Sequence, residues 1–527
     1  MISLSYTQAR DKLLSLTLPP LPLNPRVQQA LLAALVIAVG LAVAWLPLEW
    51  IVLGLGGAIV LTALLLRPIL SLYVLIPVIP FSSLLAVPLG GFNAGLMEII
   101  LALGLAAWLL QMLVRGQVII PQALLLWPFV LFLAGVSLSW LDALSIGASL
   151  VETAKWIEML ALYLFVVARL PARHIPWVAA ALLLTGMAQA TLGLYQFIFK
   201  VGPPGFLLFD GRFLRAYGTF AQPNPYAGYL GLLLPLALSL AIWSFRDLRR
   251  LWRIYDLRFT TTVPAAKRSG IYDLLSTIYY LRSTIFFGLS LVLLLAALFA
   301  TQSRGAWVGF AAAAVMTVAV RSKQAALVVS AAAIVAALAG LAGSFDWGVA
   351  GTSAVTQRLV DAAAVATISD ISTIEVNDAN FATLERLAHW QAAREMWRDH
   401  PWLGVGFGNY AVVYPAYAVG RWLDPLGHAH NYWLNIGAEA GLVGIIVYAI
   451  FWILTFRVSL LALRVADPFQ RAVVAGGIGI LVHLQIHSLF DNLYVQGMYL
   501  HLAIILGLIS IIYLCHRTNP SSERMYP

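Results

Sequence analysis

The chain has 527 residues, of which 61% are hydrophobic and only 10% charged, with a formal net charge of +9. One soluble core cannot hide that much apolar surface, whereas a bilayer can accept it, so a globular cytosolic protein is excluded. A single cysteine, Cys515, excludes an intrachain disulfide framework and any cysteine-built metal cluster.

Apolar runs recur from Ala30 to Ile512, each approaching the roughly 20 residues that cross ~30 Å of hydrocarbon. The first follows a polar, basic segment with Arg10, Lys12 and Arg26 and shows no small-residue cleavage site, so it reads as a retained span. The pattern predicts about fourteen spans, centred roughly at residues 38, 57, 78, 104, 130, 160, 186, 234, 293, 312, 335, 442, 480 and 505. In the sixth, Glu152, Lys155 and Glu158 form a charged face at helical spacing, which reads as self-neutralising pairs.

Short loops rich in Lys and Arg mark the cytoplasmic side. The most biased connection, residues 245–283, holds Arg246, Arg249, Arg250, Arg253, Arg258, Lys267, Arg268 and Arg282. Counting outward from it assigns Arg67, Arg115, Arg169, Arg173, Arg321, Lys323, Arg457, Arg464, Arg471, Arg517 and Arg524 to the cytoplasm, along with both termini. The positive charge thus marks one side of a membrane, and a nucleic-acid partner is not expected. The same count puts residues 200–224, 302–304, 346–427 and 490–495 on the outer face. In the long outer segment, Leu384 to Asp399 has helical periodicity through Leu387, Trp390, Ala393, Arg394 and Trp397, and Pro401 with Gly404, Gly406 and Gly408 ends it. Such a long loop with internal structure predicts a small folded cap. The expected organisation is N-terminal spans over 1–200, central spans over 201–345, an outer loop domain over 346–427, C-terminal spans over 428–515 and a cytoplasmic tail over 516–527.

Four groups on the outer face could carry chemistry. Arg212 and Arg215 lie in an irregular Gly/Pro-rich stretch, Gly211 to Pro225, and such backbone beside a bilayer must be buried in protein or line a wet cavity. Arg304, in Thr301-Gln302-Ser303-Arg304-Gly305-Ala306-Trp307, is a guanidinium at membrane depth, and its fork of donors suits phosphate oxygens. His428 and His430, before Asn431, can accept a proton near neutral pH, and the small residues Gly437, Ala438, Ala440, Gly441 and Gly444 predict close packing of the helix below. His487 and Asp491, one helical turn apart, could orient a catalytic group or merely satisfy each other. With His428 and His430 they could also hold a metal, although the spacing is unlike a compact zinc signature. There is no P-loop and no dinucleotide fingerprint, and no cofactor is expected.

Taken together, these stretches resemble the O-antigen ligase/polymerase superfamily. His430-Asn431, nine residues, then Gly441-Leu442-Val443-Gly444 is similar to that family's H-[NSQ]-x9-G-x-x-G signature. Arg215-Ala216-Tyr217-Gly218-Thr219-Phe220 and Ser303-Arg304-Gly305-Ala306-Trp307 resemble its two arginine motifs, and His400-Pro401-Trp402-Leu403-Gly404-Val405-Gly406 is also of its kind. The family usually has fewer spans, near twelve, so the first 200 residues are the point of departure. The resemblance implies an all-α polytopic integral membrane protein of about 12–14 spans, GT-C-like, in the bacterial inner membrane, with a partly helical extracytoplasmic loop domain. It implies metal-independent, inverting transfer of a glycan from undecaprenyl diphosphate to lipid A core or to a growing glycan. Arg215 and Arg304 would bind the diphosphate and His430 would be the base, with Arg212, Asn431, His487 and Asp491 supporting. A polysaccharide polymerase would use the same chemistry on another acceptor. A transporter should show inverted halves with midplane breaks, and no such repeat is seen.

Overall fold

The computed structural model describes residues 47–82, 86–89, 92–116, 121–208, 211–260, 270–322 and 380–518, with scattered positions between 27 and 46 and between 324 and 376. The expected spans near residues 38 and 335, Arg10, Lys12, Arg26, Lys267, Arg268, Lys323, Arg358 and Arg524, and most of 346–379 lie outside the described residues.

The protein is an all-α polytopic membrane protein. Its helices are α1 (Leu48–Leu66), α2 (Leu70–Val78), α3 (Leu96–Val114), α4 (Leu126–Leu138), α5 (Ile146–Arg169), α6 (Ile175–Phe199), α7 (Pro223–Gly231), α8 (Leu234–Thr260), α9 (Gly270–Ala300), α10 (Arg304–Ala319), α11 (Phe381–Asp399), α12 (Tyr410–Val413), α13 (Tyr432–Val465), α14 (Pro468–His487) and α15 (Met498–Thr518). The strands form two small antiparallel hairpins, Ala86–Leu89 with Phe92–Gly95 and Leu207–Leu208 with Phe213–Leu214. Eight described helices are long and apolar enough to cross a membrane, and three shorter apolar ones accompany them. The twelve expected centres that fall on described residues all lie within helices.

The charged face of α5 resolves into one local pairing and one to α15. Lys155 Nζ is 2.5 Å from Glu152 Oε2, and the Tyr499 hydroxyl donates to Glu158 Oε2 at 2.6 Å. Each gives an ionisable group in a span a polar partner within the protein. α5 packs along α15, and α10 lies against α14, where a Cβ on Gly305 or Gly309 would press on Phe490, His483 or His487. Lipid tails are as apolar as leucine, so close approach of small residues is what holds such pairs.

α13 is not one helix. Gly441 takes φ 61° and ψ −157°, a region essentially confined to glycine, and splits the rod in two. Residues 401–406 plug the break with main-chain pairing. Leu442 N donates to Pro401 O at 2.8 Å and Val443 N to Trp402 O at 3.2 Å, while Val405 N and Gly406 N reach Ala438 O and Glu439 O, each at 2.9 Å. A Cβ on Gly441 would sit 2.3 Å from the Trp402 carbonyl, and one on Gly404 (φ +69°) 2.3 Å from the Glu439 backbone. The small-residue run predicted close helix packing; what it permits at Gly441 is backbone docking. The buried Glu439 side chain accepts from Tyr410 N at its Oε1, 2.9 Å away, so the loop is stitched down on both sides of the break.

The outer helix begins three residues before the expected start, and its buried stripe is Leu384, Ala388, His389, Ala392, Ala393 and Met396. Of the residues that carry the helical spacing, Arg394 lies 64% exposed beside Glu395. Met396, Val405, Tyr410, Tyr414 and Ala429 form an apolar cluster of their own with the start of α13.

Candidate active site

Buried glutamines on α6 hold the irregular stretch after Arg215. Gln196 Oε1 accepts from Gly218 N (2.7 Å) and Tyr217 N (3.2 Å), its Nε2 donates to Gly218 O (2.7 Å), and Gln189 Oε1 accepts from Thr219 N (3.2 Å). This satisfies the main chain where neither helix nor water can. It also aims Arg215 at the turn between α9 and α10. Arg215 Nε donates to Thr301 O at 2.8 Å and Nη2 to Asn224 Oδ1 at 2.7 Å, while Ala216 N donates to Ala300 O at 3.0 Å. The two arginine motifs are thereby locked together, with Arg304 opening α10 just beyond.

Both arginines line one cavity of about 420 Å³, with Asn224, Ser303, Trp390, His487 and Asp491 among its walls. A third guanidinium, Arg386 on α11, lines it too. Burial, reinforced by Arg386 and Arg304, pushes the Arg215 pKa down to about 10, so it stays protonated at neutral pH.

Beside the cavity stand the histidines. His430 has a left-handed backbone (φ 52°), unusual for a non-glycine residue and frequent where a side chain is held for function. Its corner is fixed on every side: Tyr432 N donates to Ser488 O at 2.7 Å, Ala429 N to Asn435 Oδ1 at 3.0 Å, and Asn431 caps α13 by accepting from Leu434 N at 3.1 Å. Trp390 Nε1 donates to His430 O at 3.4 Å. Asp491 Oδ1 lies 3.7 Å from both His428 Nε2 and His430 Nδ1. Burial would raise the Asp491 carboxyl, but His430, His428 and His487 outweigh it and hold the group well below the usual carboxylate range. Asp491 is the residue common to the cavity wall and the histidine pair.

These three side chains offer ligand-type atoms within 4.8 Å of one another. The hydrogen bonding argues against a cation there. His430 N donates to His428 Nδ1 at 3.0 Å, and burial lowers His428 to a pKa of about 4, so the ring is neutral. A neutral imidazole that accepts at Nδ1 must carry its proton on Nε2. The nitrogen that faces Asp491 therefore has no lone pair for a metal, whereas a ligating histidine donates through its other nitrogen.

The structure thus gathers Arg215, Arg304, His430, His487 and Asp491. Arg212 is exposed and is not among the cavity walls, and Asn431 acts as a helix cap. His487 lines the cavity and pairs inward with His483, ring nitrogens 3.3 Å apart. Sequence reasoning missed Arg386 as a site residue. Its one signal was the i, i+3, i+4 set Arg386, His389 and Trp390 on α11. No curated protein matches the chain. Residues 289–449, from α9 into α13, match the model of the O-antigen ligase family, Wzy_C, in agreement with the resemblance carried by the motifs.

Proposed function

We propose that this is an O-antigen ligase-like glycosyltransferase that moves a glycan from undecaprenyl diphosphate to an acceptor hydroxyl on the extracytoplasmic face. The observation that carries the reading is the shared wall: arginines of two separate motifs line one cavity, and its Asp491 also contacts His430. Arg215 and Arg304 bind the diphosphate, which spreads the charge that develops as it leaves. Because Thr301 O and Asn224 already hold Arg215, that charge meets donors needing no reorganisation. Asp491 Oδ1 faces His430 Nδ1 at 3.7 Å, a charge placed to keep the proton on Nδ1 and leave Nε2 bare, and neither buried ring nitrogen has a hydrogen-bond partner among the described residues.

The acceptor oxygen attacks the anomeric carbon, its proton passes to His430 Nε2, and the bond to the diphosphate oxygen breaks with its electron pair. One displacement inverts the anomeric centre, since no second carboxylate stands ready to form a glycosyl intermediate among the described site residues. A ligase would use lipid A core as acceptor, and a polymerase another lipid-linked glycan, at the same residues.

Purified protein should transfer glycan from a lipid-diphosphate donor without added nucleotide or divalent metal. His430→Ala should lower kcat on the order of 10²–10⁴-fold, the usual contribution of a general base. Full activity in that variant, or activity lost to a chelator, overturns the mechanism.

A further inference from the structure

Arg386 belongs to neither arginine motif and comes from a different part of the fold. It sits on α11, the outer helix, yet lines the same cavity as Arg215 and Arg304. Its Nε is buried and has no hydrogen-bond acceptor among the described residues. A buried guanidinium nitrogen without a partner is costly unless something else supplies the oxygen.

The charge balance of the cavity points to the nature of that partner. Its walls carry three guanidinium groups and one carboxylate, Asp491, which is already engaged by the histidines. Glu385, beside Arg386 in sequence, is not among the walls. Among the described wall residues, guanidinium groups outnumber carboxylates. A diphosphate diester carries about two negative charges at neutral pH, and a phosphate diester one. Guanidinium forks match such oxygens in pairs.

Resting on the donor reading above, we propose that Arg386 is the third arm of the diphosphate site and sets its preference for a diphosphate over a single phosphate. α11 then belongs to the donor site as well as to the outer cap. Trp390, one turn along, lines the cavity and holds the His430 carbonyl, and the His389 ring lies 5.6 Å from that of His430. A donor grasped by Arg386 therefore steadies the helix against which the base rests.

Calorimetry on the full-length protein in detergent, with inorganic pyrophosphate and orthophosphate as probes, tests this directly. Wild type should bind pyrophosphate at least about tenfold more tightly than orthophosphate. Arg386→Gln should weaken pyrophosphate about tenfold or more and narrow that preference, and Arg386→Lys, which keeps the charge but not the fork, should fall between. With lipid-linked donor, the KM of Arg386→Gln should rise more than its kcat falls. If Arg386→Gln disturbs folding, the lysine variant with an unchanged melting temperature carries the same comparison. Wild-type pyrophosphate affinity in both variants, with loss in Arg304→Gln, would remove Arg386 from the site. No pyrophosphate binding by wild type would defeat the donor reading itself.

Discussion

Asp491 is flanked by two imidazoles that use it differently. His428 is fixed by the His430 amide as a neutral donor, while His430 is left with a choice that Asp491 makes for it. Asp491→Asn should therefore lower kcat on the order of 10²-fold with little change in donor KM, because orientation of the base is lost and the arginines are not. An unchanged kcat would show that His430 is placed by its backbone alone. His428 makes a second prediction, on stability. Its folded pKa of about 4 lies below the ordinary value of about 6.5, so the unfolded chain takes up a proton first as pH falls. Its contribution is complete above about pH 6.5 and drains away down to about pH 4. His428→Asn, which retains an acceptor for the His430 amide, should flatten the fall in melting temperature over that interval. The remaining slope belongs partly to His389, which burial also lowers to about 4. Arg215, Arg304 and His430 were legible in the sequence because a membrane does not tolerate such groups idly. Arg386 was not, since an arginine in a polar loop with many acids is unremarkable until the fold lays its helix over the cavity.

At the scale of elements, Gly441 and residues 401–406 show how far pattern can go. The small residues of α13 announced close approach, and close approach is what the structure has. Their spacing could not reveal that the approaching partner is an extended loop, because that pairing depends on main-chain atoms common to every residue type. Gly441→Ala should cost at least about 2 kcal/mol or abolish folded protein, from the forbidden φ/ψ together with the clash on Trp402. Glu439→Ala should cost about 1–3 kcal/mol by leaving Tyr410 N without its acceptor. Thermal melting in detergent measures both, and near-wild-type stability in either would show that the loop is not anchored there. The buried face of α11 was less legible than its helical character. Between Leu384 and Met396 its buried stripe is made of alanines and a histidine, which carry less hydrophobic signal than the tryptophans that flank them.

Across the whole molecule, the basic stretch of α8 and the arginine-lined cavity lie at opposite ends of the same helices. Arg321 donates to Ser239 O at 2.7 Å at one end of α10, and Arg304 starts the other. The charge count therefore predicts which end faces the cytoplasm. In a Cys515→Ser background, a membrane-impermeant maleimide applied to intact spheroplasts should label a cysteine at Leu423, which is 68% exposed in the loop between α12 and α13. It should not label one at Arg250, whose side chain is 67% exposed at the basic end. Labelling of Arg250→Cys alone would invert the map.

The plug at Gly441 also bears on how such proteins can diversify. Residues 401–406 and the upper part of α13 share hydrogen bonds that neither could satisfy alone and meet closely at Gly404 and Gly441, so an exchange that keeps them together preserves that fit. A chimera exchanging the outer loop up to residue 430 would split them at that seam. One exchanging residues 381–444 would keep the seam whole and carry Arg386 and His430 across together.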